Sequence, residues 1–199
     1  MVRHRQAGVP LRHPAPAALG RQRGAGAEAV SPDDTAIPPG NALHARLPGA
    51  YFQHCARIAL PFDPGTALQA YRGVAAATPR WFDALMQLRN CALQPFGLKD
   101  LGRISAVTGT EAARPGGRLG IFTLESLRPD ELVLGDSDRH LRVVLSFQLQ
   151  RHEGATQLLV ATVVHLHHGL GRWYMLPVAP LHRRVVPLML RRYARSPQA

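Results

Sequence analysis

The chain has 199 residues, only two cysteines and no long apolar run. No stretch reaches the roughly 18 consecutive apolar residues of a membrane-spanning helix, and no apolar segment follows the N-terminal arginines as in a secretory signal. We therefore expect a cytoplasmic protein without a membrane span. Cys55 and Cys91 lie on different predicted elements and form neither a disulfide framework nor a zinc quartet, so both are predicted to be small core residues.

Lysine is almost missing, since Lys99 is the only one in the chain. The formal net charge is nevertheless +11, and residues 161–199 carry six arginines and no acidic residue. Basic patches interleaved with stacking aromatic residues are absent, so nucleic acid is not expected as a partner. No glycine-rich phosphate loop is present, because Gly169-Leu170-Gly171 lacks the third glycine and follows an antiparallel strand. No cofactor is expected.

Aromatic residues and cysteine are absent from residues 1–48, which are rich in Pro, Gly, Ala and Arg. This segment shows neither a helical nor a strand period, and it is predicted to be a disordered basic tail. Residues 49–196 are long enough for one good core, and they are predicted to form a single domain.

The first predicted elements are a strand and two short helices. Alternation from Ala50 to Leu60 predicts a strand whose apolar face is interrupted by His54. Asp63 followed by Pro64 is typical of a helix start, and this helix is expected to run to about Ala77. A second helix is predicted from the Thr78-Pro79 signal to about Leu93.

A sheet and a long helix follow. Strands are predicted from Leu119 to Glu125 and around Leu132, and strict alternation from Leu141 to Gln150 indicates a half-buried antiparallel strand. A turn at His152–Gly154 leads into a partner strand, Gln157–His167. The last helix, from Arg172, is expected to pack through Tyr174, Val178, Leu181, Val185 and Leu188, with a kink or an irregular first turn at Pro177, Pro180 and Pro187.

This order of elements predicts an α+β helix-grip fold, in which a curved antiparallel sheet wraps around a long C-terminal helix. It resembles the START-like superfamily, whose members commonly enclose an apolar cavity between sheet and helix. At closer range the chain resembles the bacterial family called domain of unknown function 2867, over about Leu43 to Ala194. The resemblance rests on Pro79-Arg80-Trp81 with Leu85-Met86-Gln87-Leu88-Arg89-Asn90, Phe96-Gly97-Leu98-Lys99, Gly135, Asp138-Arg139-His140-Leu141, Gly171-Arg172-Trp173-Tyr174 and Pro180-Leu181-His182.

One departure from the family pattern concerns the residues after His140-Leu141. This chain has Arg142 and Val143 where the family usually has an acidic residue and an aromatic one. The family has no established activity, so the resemblance implies a fold and leaves the function open.

The helix-grip order favours a domain that binds a small apolar or amphipathic, lipid-like ligand between the sheet and the last helix. The residues expected to contact this ligand are Trp81, Arg89, Trp173 and Tyr174. The alternative is a cyclase- or hydrolase-like enzyme with Asp138, His140 and Arg89 as the candidate catalytic residues. Asp138 also suits a turn cap, and Arg89 an internal salt bridge.

The strand pairing that places Gln150 opposite Ala155 gathers three histidines and an acid. His140, His165 and His167 with Asp138 would then cluster, which is a possible zinc or iron set. Because the leucines and valines occupy the other face of these strands, an acid–histidine network on the surface is the favoured interpretation, and no metal is assigned.

The last helix also carries a basic stripe of Arg183, Arg184, Arg191 and Arg195. Such a stripe suits either an anionic lipid surface or a solvated face. The sequence makes no prediction of the oligomeric state.

Overall fold

The protein is described from a computed structural model, which places residues 31–79, 81–82, 84 and 113–196. These residues form one seven-stranded sheet in which every neighbouring pair is antiparallel, in the order β1-β2-β7-β6-β5-β4-β3. The elements in chain order are β1 Asp33–Asp34, β2 Phe52–Leu60, α1 Ala67–Ala76, β3 Arg118–Leu119, β4 Phe122–Leu127, β5 Glu131–Ser137, β6 Leu141–His152, β7 Ala155–Leu166 and the C-terminal helix Gly169–Ala194.

The fold confirms the predicted class: a curved antiparallel sheet packs against a long C-terminal helix. Strands β3 to β7 follow one another as a meander. Strand β2, which comes earlier in the chain, lies beside β7. The C-terminal helix packs over β2 and β7, whereas α1 packs over β5 and β6. Most of the second predicted helix lies outside the described residues, and none of the described helices has the length and apolarity needed to cross a bilayer.

The hairpin between β6 and β7 corrects the predicted register. Its loop is the pair Glu153 and Gly154, both with positive φ, and His152 lies opposite Ala155. Two-residue loops with this backbone match the twist of the flanking strands, so the strands continue to the loop itself. Gln150 therefore faces Gln157, two residues away from the predicted partner. A shift of two residues keeps every side chain on its predicted face.

Helix α1 begins three residues later than predicted. Its N-cap is Thr66, whose hydroxyl accepts a hydrogen bond from the Gln69 amide. Asp63 accepts instead from the Gly65 amide and from the Arg151 guanidinium, and these hydrogen bonds lower the pKa of its carboxyl to about 2. The Asp-Pro pair thus forms the turn that precedes the helix.

The packing face of the C-terminal helix is rotated from the predicted stripe. Val185 packs as expected, but Leu188 is 39% exposed, and the most buried apolar side chains are Met175, Leu190 and Tyr193. The helix continues through all three prolines. Pro177 and Pro180 lie on the exposed side of the helix. Each proline removes one backbone N–H donor, and on this side the carbonyl that loses its partner can bond to water instead.

Residues 31–48, which the sequence analysis assigned to the disordered tail, pack on the side of the sheet that is turned away from the helices. Leu43 is fully buried with Val144 and Val163, and Asn41 donates hydrogen bonds to the side chains of Ser146 and Gln148. Burial of one such leucine contributes about 1.5–3 kcal/mol. Residues 31–48 thus pack against the sheet although they lack periodicity, because a few buried residues suffice to order a segment.

Of the two predicted core cysteines, the structure describes Cys55. Cys55 is buried in the cluster under residues 37–50, and burial raises the pKa of its thiol to about 11. It is a packing residue, as predicted. Cys91 lies outside the described residues.

Candidate functional site

The inward face of the sheet is the face that packs against the helices. Polar side chains meet there among apolar ones. His54 on β2 lies opposite Thr162 on β7, and both are buried among the apolar side chains of this face. His182 projects onto them from the C-terminal helix, with the two imidazole centroids 5.4 Å apart. We call His54, Thr162 and His182 the histidine cluster.

His54 is oriented by a carboxylate from the edge of the sheet. Its Nε2 lies 3.1 Å from Oδ1 of Asp34, which is on β1 and largely exposed, whereas the His54 side chain is only 2% exposed. In the neutral tautomer that donates from Nε2 to Asp34, Nδ1 carries a lone pair. This Nδ1 is buried and has no hydrogen-bond partner in the described part of the chain.

An orphaned buried acceptor is costly. Leaving such a group without a partner costs about 1–3 kcal/mol, and the great majority of buried polar groups are paired with protein or with an ordered molecule. The Nδ1 atom of His54 therefore marks a position where a hydrogen-bond donor from outside the described residues would be stabilised.

His182 is held neutral by its surroundings. Its Nε2 lies 3.1 Å from Oγ1 of Thr162, and its ring meets the Phe52 ring edge-on. Desolvation by burial, helped by the neighbouring His54 and by Arg183, lowers the pKa of His182 to about 3. Arg183 itself lies over the Phe52 ring, 5.3 Å from its centroid. At neutral pH His182 thus offers one donor and one acceptor without a charge.

Beside the histidine cluster lie apolar side chains that the fold buries only in part. Thr162 is flanked by Leu145 on β6, and Val143 occupies the next row of the same face. Both are partly buried, as are Tyr174 and Val178 on the adjoining side of the C-terminal helix. We call the partly buried apolar surface formed by Val143, Leu145, Tyr174 and Val178 the inward groove. These apolar side chains adjoin the polar atoms of the histidine cluster.

Among the predicted ligand-contact residues, both tryptophans are exposed. Trp173 is 75% exposed on the outer side of the C-terminal helix, and Trp81 is 49% exposed and packs against Phe82. Tyr174 is the predicted contact that borders the inward groove. Arg89 lies outside the described residues.

Asp138, a predicted catalytic candidate, caps the turn between β5 and β6. Its Oδ1 accepts hydrogen bonds from the backbone amides of His140 at 2.6 Å and of Leu141 at 2.9 Å. His140, the other candidate from this loop, is buried, and its Nε2 accepts from Nε of Arg139 at 2.9 Å. These contacts support the turn-cap interpretation of Asp138.

The predicted metal ligands are differently engaged. His165 faces Arg142, and its Nε2 lies 3.3 Å from the Pro48 carbonyl oxygen, while His167 is exposed. No group of three or more His, Cys, Asp or Glu side chains in the described segments is placed to hold a metal ion. Arg142 donates to Glu125, which also accepts from Arg46.

A separate cleft of about 380 Å³ lies between helix α1 and the last turn of the C-terminal helix. It is lined by Pro64, Gln69, Gly73, Ala76, Ala77, Tyr193 and Ser196. The lining shares no residue with the histidine cluster and has no charged side chain. We therefore place the candidate site at the histidine cluster and the inward groove.

Three residues of the site escaped the sequence analysis: Asp34, Thr162 and His182. Asp34 belongs to the segment assigned to the tail, and its contact with His54 spans 20 positions of sequence. His182 was detectable, because it follows Val178 by four residues and precedes Val185 by three, which is the spacing of the buried face. His54 was noticed as the polar exception on an apolar strand face.

Comparison with known proteins gives one match. The family model described as protein of unknown function (DUF2867) matches residues 46–189, which is more than two thirds of the chain. Neither the curated proteins nor the solved structures contain a match. The chain belongs to the DUF2867 family.

Proposed function

We propose that the protein binds a small amphipathic ligand between the sheet and the C-terminal helix. The polar end of the ligand bonds to the histidine cluster, and its apolar body lies in the inward groove. The START-like resemblance of the element order supports this location. The observation that carries the proposal is the buried Nδ1 of His54, which has no hydrogen-bond partner among the described residues.

The chemistry of the cluster selects the kind of polar group. His182 is uncharged at neutral pH, and His54 presents a lone pair when its Nε2 hydrogen points to Asp34. A hydroxyl or an amide N–H of the ligand satisfies that lone pair. A ligand with an alcohol or amide head and an apolar body fits this site best.

The test is native mass spectrometry of the purified full-length chain, followed by solvent extraction of whatever it carries. We expect a noncovalent small molecule that leaves on denaturation. His54→Phe preserves the ring shape and removes the acceptor; losing one buried hydrogen bond of about 1.4 kcal/mol predicts a roughly tenfold weaker retention.

The matched control is His165→Phe, a strand histidine on the opposite face of the sheet. It should retain the ligand as the wild type does, and circular dichroism should show both variants folded. Absence of any small molecule from the wild-type protein, or equal retention by His54→Phe and wild type, would contradict the proposed site.

A second candidate function rests on the same pair of side chains. An Asp–His pair with a free imidazole nitrogen is the arrangement of a general base. Asp34 and His54 supply this pair, which replaces the loop residues Asp138 and His140 as the enzyme alternative. Turnover of the extracted ligand that is lost in His54→Phe would favour catalysis over simple binding.

A further inference from the structure

The outward side of the C-terminal helix exposes apolar side chains that the fold does not use. Leu170, Trp173 and Leu176 recur at three-residue spacing and are 49%, 75% and 60% exposed. Met175 and Tyr193 show the contrast, because they lie on the opposite side of the same helix and are almost fully buried. An exposed tryptophan between two exposed leucines marks an interaction surface rather than a packing defect.

Basic residues continue the same side of the helix toward its C-terminus. Arg184 and Arg191 follow Trp173 at helical spacing, Arg195 is the C-cap, and all three are exposed. The helix contains no Asp or Glu. In the described part of the chain, no salt bridge joins any of these arginines to a carboxylate. We call Leu170, Trp173, Leu176, Arg184, Arg191 and Arg195 the outer face.

The partner that fits this surface is negatively charged and accepts apolar side chains. Tryptophan favours the boundary between headgroups and acyl chains, and arginine pairs with lipid phosphates. A helix with this composition lies in the plane of a membrane without spanning it.

We propose that the outer face binds an anionic lipid surface. Trp173 and its neighbouring leucines enter the headgroup boundary, while Arg184, Arg191 and Arg195 contact lipid phosphates. The helix stays in place on the sheet, because its opposite side remains packed. This proposal does not rest on the ligand site.

The test is cosedimentation of the full-length chain with large vesicles of phosphatidylcholine alone or mixed with an equal amount of phosphatidylglycerol. We expect binding to the mixed vesicles and little to the neutral ones, weakening with added salt. Each arginine near an anionic surface contributes about fivefold in affinity, so Arg184→Gln with Arg191→Gln should weaken binding about 30-fold. Trp173→Ala should weaken it at least about tenfold.

The matched controls change the same residue types elsewhere on the surface. Arg57→Gln with Arg114→Gln removes the same charge, and Tyr51→Ala removes another exposed aromatic residue. Both should bind mixed vesicles as the wild type does. In a Trp81→Phe background Trp173 is the only tryptophan, and its emission should shift to shorter wavelength on binding.

Three results would overturn the proposal. One is no sedimentation with the mixed vesicles, and another is an equal loss of binding in the control variants. The third is a concentration-dependent dimer that Trp173→Ala abolishes, measured by sedimentation velocity without vesicles, because it would assign the outer face to a second copy of the chain.

Discussion

Replacing His182 with glutamine should flatten the acid side of the stability profile. In the folded protein, burial beside His54 and Arg183 lowers the pKa of His182 from 6.5 to about 3. Between those two pH values the unfolded chain binds a proton that the folded chain does not. The folded state therefore loses stability as the pH falls below 6.5, until the folded group titrates near 3.

The magnitude follows from the two pKa values. At 1.36 kcal/mol per pH unit, lowering the pH from 8 to 5 should cost the wild type about 2 kcal/mol through this residue alone. His182→Gln removes that contribution and keeps an amide able to reach Thr162. The assay is urea unfolding at pH 8 and pH 5, and the wild type should lose about 2 kcal/mol more than the variant.

The control for this experiment is His167→Gln, an exposed histidine that precedes the same helix. It should follow the wild-type profile. Equal pH dependence of wild type and His182→Gln would refute the reasoning, as would an NMR titration in which the His182 ring protonates near pH 6.5.

Three further predictions concern packing, each measured by urea unfolding. Gly171→Ala should cost about 1–3 kcal/mol, because the new Cβ would lie 3.0 Å from the His140 carbonyl oxygen, whereas Gly169→Ala meets open space and should destabilise much less. Leu190→Ala should cost about 2–5 kcal/mol because the side chain is fully buried, and a similar stability of Leu190→Ala and the exposed Leu176→Ala would contradict the assigned packing face. Asn41→Ala should cost about 1–3 kcal/mol by leaving Ser146 and Gln148 without its amide, while the exposed Gln53→Ala should stay within about 0.5 kcal/mol; equal effects would argue against an ordered segment before residue 49.

The sheet was predictable because its strands alternate. In β6 the apolar residues recur every second position, which is the period of a strand with one apolar face, the face that packs on the helices. The other face of β6 is covered by residues 31–48. The loop at Glu153 and Gly154 was the weak point, because His152 looked like part of the turn. Only the backbone geometry shows that the strand continues to it.

The C-terminal helix shows where a pattern misleads. Leucine and valine are numerous on several sides of it, so more than one stripe looks apolar. The predicted stripe included Leu188, which is exposed, and left out His182. A polar residue on a buried face contradicts the hydrophobic pattern, and such contradictions are expected at functional sites.

The N-terminal segment shows a different limit. Residues 31–48 have no period, and their order depends on distant partners: Asn41 bonds to side chains more than 100 positions away. Local pattern cannot reveal such contacts. Asp34, which orients His54, was missed for the same reason.

A high-resolution crystal structure of the purified full-length protein tests the central claim most directly. The ligand-binding account predicts density that is not protein in the inward groove, with an atom within about 3.2 Å of Nδ1 of His54. Side chains filling the space between the sheet and the C-terminal helix, with no such density at His54, would contradict it.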